Sequence, residues 1–231
     1  MRIGGLQKTT LLDYPGKVAA TVFLTGCNFR CPFCHNMSLA EADPELPEMK
    51  EEEVLAFLTK RQGILDGVCV TGGEPTLSPE LPAFLKKIKA LGLCVKLDTN
   101  GTRPDMLKEL AAEELIDYVA MDIKTSLLRY PEVAGISAVD TAAVSESITF
   151  LKNGVLPFEF RTTVVKQYHN AEVFDEIGAL LQGCQSYYLQ SFQASDAVKD
   201  KSLCACEKNE LLEFIRQLEK YDIKASLRGV D

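Results

Sequence analysis

The sequence predicts an α/β fold in which parallel strands alternate with helices. Six short apolar runs, rich in Val, Ile and aromatic residues, recur along the 231-residue chain. Segments of helical periodicity separate them. Several of the runs are apolar throughout, as parallel strands covered on both faces are.

Taken in order, VAATVFL (18–24) is the first run, followed by a cysteine-rich stretch and a helix-length segment at 49–62. GVCVT (67–71) is the second. From Ser78 the helix signals are explicit: a capping Ser, Pro79 at the first helical position, then a stripe of Leu81, Phe84, Leu85, Ile88 and Leu91, and Gly92 as the stop. LCVKLD (93–98), a helical segment at 104–115 and DYVAMDI (117–123) come next. Asp140 is placed to cap a helix running to about Lys152, with Gly154 ending it. LPFEFRTTVV (156–165) precedes a helix at 171–182. SYYLQSF (186–192) precedes one at 207–221, where Leu211, Ile215 and Leu218 recur at i, i+4 and i+7. This order implies right-handed crossovers. Periodicity does not separate a barrel from a doubly wound sheet, but in both folds ligands sit beyond the C-terminal ends of the strands.

Hydrophobic residues make up 46% and charged residues 25%, an ordinary soluble composition. The length suits one domain spanning 1–231, and no Ser/Gly/Pro-rich linker divides it. MRIGGLQKTTLLDYPGK has no apolar h-region or small-residue cleavage site, and no run reaches the ~18 apolar residues of a membrane span. A cytoplasmic location with no membrane contact is expected. The net charge of −8 disfavours a general grip on nucleic acid. Eight cysteines in a reducing compartment point to metal or redox work where they cluster. The scattered Cys69, Cys94 and Cys184 read as small buried hydrophobes.

The cluster lies in FLTGCNFRCPFCHN, with Cys27, Cys31 and Cys34 directly after the first strand. Three is one short of a closed zinc site, and His35, adjacent to Cys34, is badly placed to complete one. CPFCH matches a c-type haem attachment motif, a chemistry of exported proteins. An iron–sulfur cubane normally takes four thiolates. Given three, it keeps one iron open to a substrate, as catalytic metal sites do.

Other candidate site residues stand at successive strand ends. TGGEPTL follows the second run: Gly72 and Gly73 let backbone approach a ligand closely, and Glu74 adds an acceptor for an ammonium group. In KLDTNG, Asp98 is suited to accept two ribose hydroxyls, although DTNG also reads as a plain turn. In MDIK, Asp122 and Lys124 lie two apart and share a face. Arg161 reads either as a site residue or as one that snorkels out of its strand. Gln190 and Phe192 carry weaker signals, and His169 reads as a loop residue.

CxxxCxxC after a first strand, with Phe33 before the last cysteine, resembles the signature of the radical S-adenosylmethionine enzymes. The resemblance implies a [4Fe-4S] cluster on Cys27, Cys31 and Cys34 whose open iron binds S-adenosyl-L-methionine. It also implies reductive cleavage to a 5′-deoxyadenosyl radical. Gly72, Gly73, Glu74, Asp98, Asp122 and Lys124 would shape the S-adenosylmethionine site, and Phe33 would pack on the adenine. Within the superfamily, LQKTTLLDYPGKVAATVFLTGCNFRCPFCHN looks like the start of the activating proteins of anaerobic ribonucleoside-triphosphate reductase. LDTNG and DIK are similar to the pyruvate formate-lyase activating enzymes. The resemblance implies a partial (β/α)6 TIM-like barrel with parallel strands and a glycyl-radical enzyme as partner. It further implies a low-potential electron donor such as flavodoxin or ferredoxin.

Two rival readings stay open: a radical enzyme acting on a small molecule, similar to carboxydeazaguanine synthase, and a non-enzymatic metal-binding protein. Cys184, Cys204 and Cys206 leave a second metal site open.

Overall fold

A computed structural model describes residues 1–230. In chain order the elements are β1 (Ile3–Thr10), β2 (Ala19–Leu24), α1 (Met37–Ala40), α2 (Glu51–Lys60), β3 (Gly67–Gly72), α3 (Leu81–Ala90), β4 (Cys94–Thr99) and α4 (Pro104–Ala112). They continue as β5 (Tyr118–Asp122), α5 (Tyr130–Ala134), α6 (Thr141–Lys152), β6 (Phe158–Val164), α7 (Ala171–Leu181), β7 (Tyr187–Ser191), α8 (Lys208–Glu219) and β8 (Ala225–Arg228).

All eight strands form one sheet in the order β1 to β8. The six expected strands are β2 to β7, mutually parallel and each within two residues of its expected bounds. Two further strands extend them. β1 pairs antiparallel with β2, and β8 pairs parallel with β7. The ends of the order, β1 and β8, do not pair among the described residues, so the barrel stays open on one side.

Outward-facing residues such as Val95, Leu97, Val119, Met121, Phe160 and Leu189 are buried beneath the helices. The α3 stripe of Leu81, Phe84, Leu85 and Ile88 is fully buried, and Gly92 takes φ +75 just after the helix. Ser78 is not the cap of that helix. Its carbonyl accepts from Leu81 N–H and its hydroxyl donates to Glu80, forming a turn, and the helix starts at Leu81. Asp140 does cap α6, accepting from Ala143 N–H at 3.0 Å, and Gly154 follows that helix at φ +74.

The inner face of the sheet is polar where cores usually are not. Ladder partners in parallel strands point the same way, so Lys96 and Asp98 on β4, Asp122 on β5, Arg161 and Thr163 on β6 and Gln190 on β7 share that face. No helix among the described residues is long and apolar enough to cross a membrane.

Candidate active site

A cavity of about 270 Å³ opens at the C-terminal ends of the parallel strands. Cys27, Cys31, Phe33 and Cys34 line it from the loop after β2, Gly72, Gly73 and Glu74 from β3, Asp98 from β4, and Asp122 and Lys124 from β5. Arg161, left undecided by the sequence, and Gln190 line it too. Phe192 does not; it is buried beside the His35 ring, 5.8 Å between centroids.

The cysteine loop is pinned at both ends. Gly26 and Cys27 donate backbone N–H groups to Leu39 and Ala40 of α1, and Arg30 donates its own to Ala134 of α5. Cys34 N–H closes a turn on Cys31, and Phe29 N–H reaches Cys27 Sγ at 3.3 Å. Phe33 is buried against Tyr168. Burial pushes the Cys27 thiol up to about 11 and raises Cys31 as well, against the pull of the Lys124 ammonium.

Glu74 reaches the cavity with its acceptors already engaged. It is 2% exposed, and both carboxylate oxygens are taken: one by Thr76 N–H, the Thr76 hydroxyl and the Thr99 hydroxyl (2.8 Å), the other by Asn100 N–H (2.6 Å). Burial pushes this carboxyl up while the donors pull it back. The side chain therefore braces the end of β3 to the end of β4. Asn100 continues the brace through Asn28 into the cysteine loop at 2.8 Å. Gly72 and Gly73 also meet a requirement of the protein's own packing. A Cβ on Gly72, at φ +120, would lie 2.2 Å from the Leu24 carbonyl oxygen, and one on Gly73 would lie 2.1 Å from that of Gly26.

Asp98 is not a free acceptor either. Its oxygens take the Lys96 ammonium and Arg161 Nη1, the latter at 3.1 Å. Arg161 also donates to Asp122, whose other oxygen accepts from Lys124 Nζ at 3.0 Å. Lys96, Asp98, Arg161, Asp122 and Lys124 thus form one chain of three cations and two anions across β4 to β6. Burial opposes charge on Asp122, Lys124 and Arg161, yet mutual attraction outweighs it. Asp122 stays well below the usual carboxylate range, and both cations hold their protons above their ordinary range. Lys96, two residues before Asp98 on the same face of β4, escaped the sequence reading, as did Asn28 and Asn100, whose bonds run between separate segments.

Three thiols line the cavity, and among the described residues no fourth does. No three ligating side chains there converge as a single ion requires. A cubane bonds each thiolate to a different iron, so spread thiols without a fourth fit a cluster with an open iron better than a closed zinc site. His35 also lines the cavity, but its Nε2 is engaged by the Gln193 carbonyl at 2.7 Å.

Residues 21–176 match the Radical SAM superfamily. The chain belongs to that superfamily. Radical SAM enzymes use a [4Fe-4S] cluster and S-adenosylmethionine, and the donor set here suits both. A protein of Methanocaldococcus jannaschii, provisionally named a glycyl-radical enzyme activating enzyme, is 31% identical over 99% of this chain and 96% of its own length. The pyruvate formate-lyase-activating enzyme of Clostridium pasteurianum is 34% identical over 53% of this chain and 52% of its own. A provisionally named GTP 3′,8-cyclase of Thermococcus kodakarensis is 31% identical over 65% of this chain, which spans 48% of that relative. Among solved structures, Streptococcus suis SuiB bound to S-adenosylmethionine superposes with a TM-score of 0.66 at 15% identity, covering 89% of this chain and 49% of SuiB. At that identity the likeness concerns the fold, a partial TIM-like barrel.

The remaining cysteines stand apart from the cavity. Cys69 is buried beneath Asp98, but Cys94, expected to be buried, is only half so. Cys184 precedes β7, at the opposite end of the sheet from Ala205, which bridges Val165 beyond β6. Cys204 and Cys206 flank Ala205, so these three thiols do not form a second cluster site.

Proposed function

We propose that this radical SAM protein is a glycyl-radical enzyme activase, with anaerobic ribonucleoside-triphosphate reductase as the expected partner. The observation carrying the proposal is the end-to-end match, 99% of one chain on 96% of the other, to a relative named for that role. The barrel's open side supports it, since a partner's glycine loop needs lateral entry.

Cys27, Cys31 and Cys34 hold the cluster, and Lys124 and Arg161 present cationic donors to the ligand's carboxylate. Asp98 and Asp122 keep those cations in place. Gly72, Gly73 and Glu74 set the β3 edge of the same site, and Phe33 offers a wall for the adenine. When bound, the cluster and S-adenosylmethionine supply a hydrogen-abstracting radical by reductive C–S cleavage. A low-potential flavodoxin or ferredoxin supplies the electron, and the chain works as a single cytoplasmic domain.

The test is to mix the anaerobically reconstituted, reduced protein with a candidate reductase. A glycine-centred EPR signal that needs both proteins is expected. Multiple-turnover S-adenosylmethionine cleavage with no glycyl signal would favour the second reading, a small-molecule enzyme. The polar inner face of the barrel and the cyclase match are what support that reading.

A further inference from the structure

β5 leaves its ladder at Asp122, yet the two residues after it are not loose. Ile123 N–H donates to the Arg161 carbonyl at 2.8 Å, and the Ile123 carbonyl accepts from the Thr162 hydroxyl at 2.7 Å. Lys124 N–H donates to the Tyr130 hydroxyl at 3.2 Å, and His169 Nε2 lies 3.0 Å from the Lys124 carbonyl oxygen. His169 Nδ1 lies 3.0 Å from Val165 N and 3.1 Å from the Val165 carbonyl oxygen, and because the Lys124 carbonyl can only accept, Nε2 carries a proton and donates to it. Both side chains are buried: Tyr130 against Phe29 of the cysteine loop, His169 against Phe174. Lys124 Nζ, by contrast, is held among the described residues by its contact with Asp122.

We propose that Tyr130 and His169 are positioning residues that grip the Lys124 backbone from both sides and so hold its ammonium over the cysteine pocket. The proposal rests on the reading of Lys124 as an S-adenosylmethionine contact. A lysine stem has several rotatable bonds, so the placement of its ammonium is only as good as that of its Cα. The mid-strand ladder does that work elsewhere in the sheet; beyond Asp122 these two side chains replace it.

The two nitrogens of His169 allow a test that packing alone would not answer. The amide nitrogen of Gln reaches the position of Nε2 and keeps the bond to Lys124, whereas Asn reaches only the position of Nδ1 and keeps the bond to Val165. Equilibrium dialysis of S-adenosylmethionine against the cluster-loaded protein should give His169→Gln an affinity within about threefold of the parent and His169→Asn about tenfold weaker. On a Lys124→Met background, Asn should add no further loss, the mark of two residues acting through one interaction. Tyr130→Phe removes only a hydroxyl and serves if either His169 variant fails to fold.

Amide exchange at Lys124 in the cofactor-free chain gives a readout independent of the ligand, and should quicken in His169→Asn and Tyr130→Phe. Equal affinities for the Gln and Asn variants, or an undiminished Asn effect without the lysine amine, would overturn the proposal. Failure of the parent to bind S-adenosylmethionine would instead overturn the functional reading. Lys124 exchange would then decide the grip alone, with unchanged rates refuting it.

Discussion

Arg161 donates Nε and Nη2 to the same carboxylate oxygen of Asp122, at 2.9 and 2.8 Å, across the β5–β6 ladder that makes the two residues direct neighbours. The same guanidinium turns Nη1 to Asp98. A single side chain therefore bridges two acids of the cavity, one on β4 and one on β5. Arg161→Ala would leave Asp98 with Lys96 alone and Asp122 with Lys124 alone. It should cost about 1–3 kcal/mol in urea unfolding of the cofactor-free chain, and S-adenosylmethionine affinity should fall with it. Arg161→Lys should recover only part of either, because an ammonium does not reproduce the planar fork.

Glu74 makes a prediction about bracing rather than ligand contact. Its oxygens accept only from donors, so Glu74→Gln would point an NH2 group at one set of them. A loss of about 1–3 kcal/mol is expected in thermal unfolding without any cofactor present. A variant as stable as the parent would show that the carboxylate is not the brace.

Gly73 tests the strand-to-strand approach. Gly73→Ala would drive a methyl group against the Gly26 carbonyl oxygen, and the loop carrying Cys27 would have to move. The expected outcome is a loss above roughly 3 kcal/mol or a chain that no longer retains iron. Gly63→Ala, at φ +78 with open space around its Cβ, should cost less.

Cys27 predicts a pH dependence. Burial raises this thiol from its ordinary 9.0 to about 11. A group whose pKa is raised on folding gives stability that is complete below the unfolded value and lost as pH rises through the folded one. The cofactor-free chain should therefore lose about 2 kcal/mol between pH 9 and 11 that Cys27→Ser does not lose. Cluster loading must expel that proton, so the rate of iron uptake should rise with pH over the neutral to mildly alkaline range.

Much of this fold is legible in the sequence because β2 to β7 are short, apolar and bounded by turns. β1 and β8 are edge strands. IGGLQKTT carries two glycines and an exposed polar end, and ASLR is four residues long, so neither shows the pattern of a buried strand. The candidate site residues were visible as chemistry at strand ends, and all ten line one cavity. Their partners were not visible. That Asp98 meets Arg161 depends on the register of β4, β5 and β6, and that Gly72 lies against Leu24 depends on how two strand ends converge. His169 was readable as a loop residue, but its burial and its hold on Lys124 follow from the loop's path.

The central claim is that three thiols hold a cluster with one iron left open. The direct measurement is anaerobic reconstitution with iron and sulfide, then an iron count and the EPR spectrum of the reduced protein before and after S-adenosylmethionine is added. About four irons per chain and a signal that changes on addition are predicted, with both lost in Cys31→Ala while that chain stays folded. Zinc bound in place of iron, or a cluster spectrum indifferent to S-adenosylmethionine, would contradict the account.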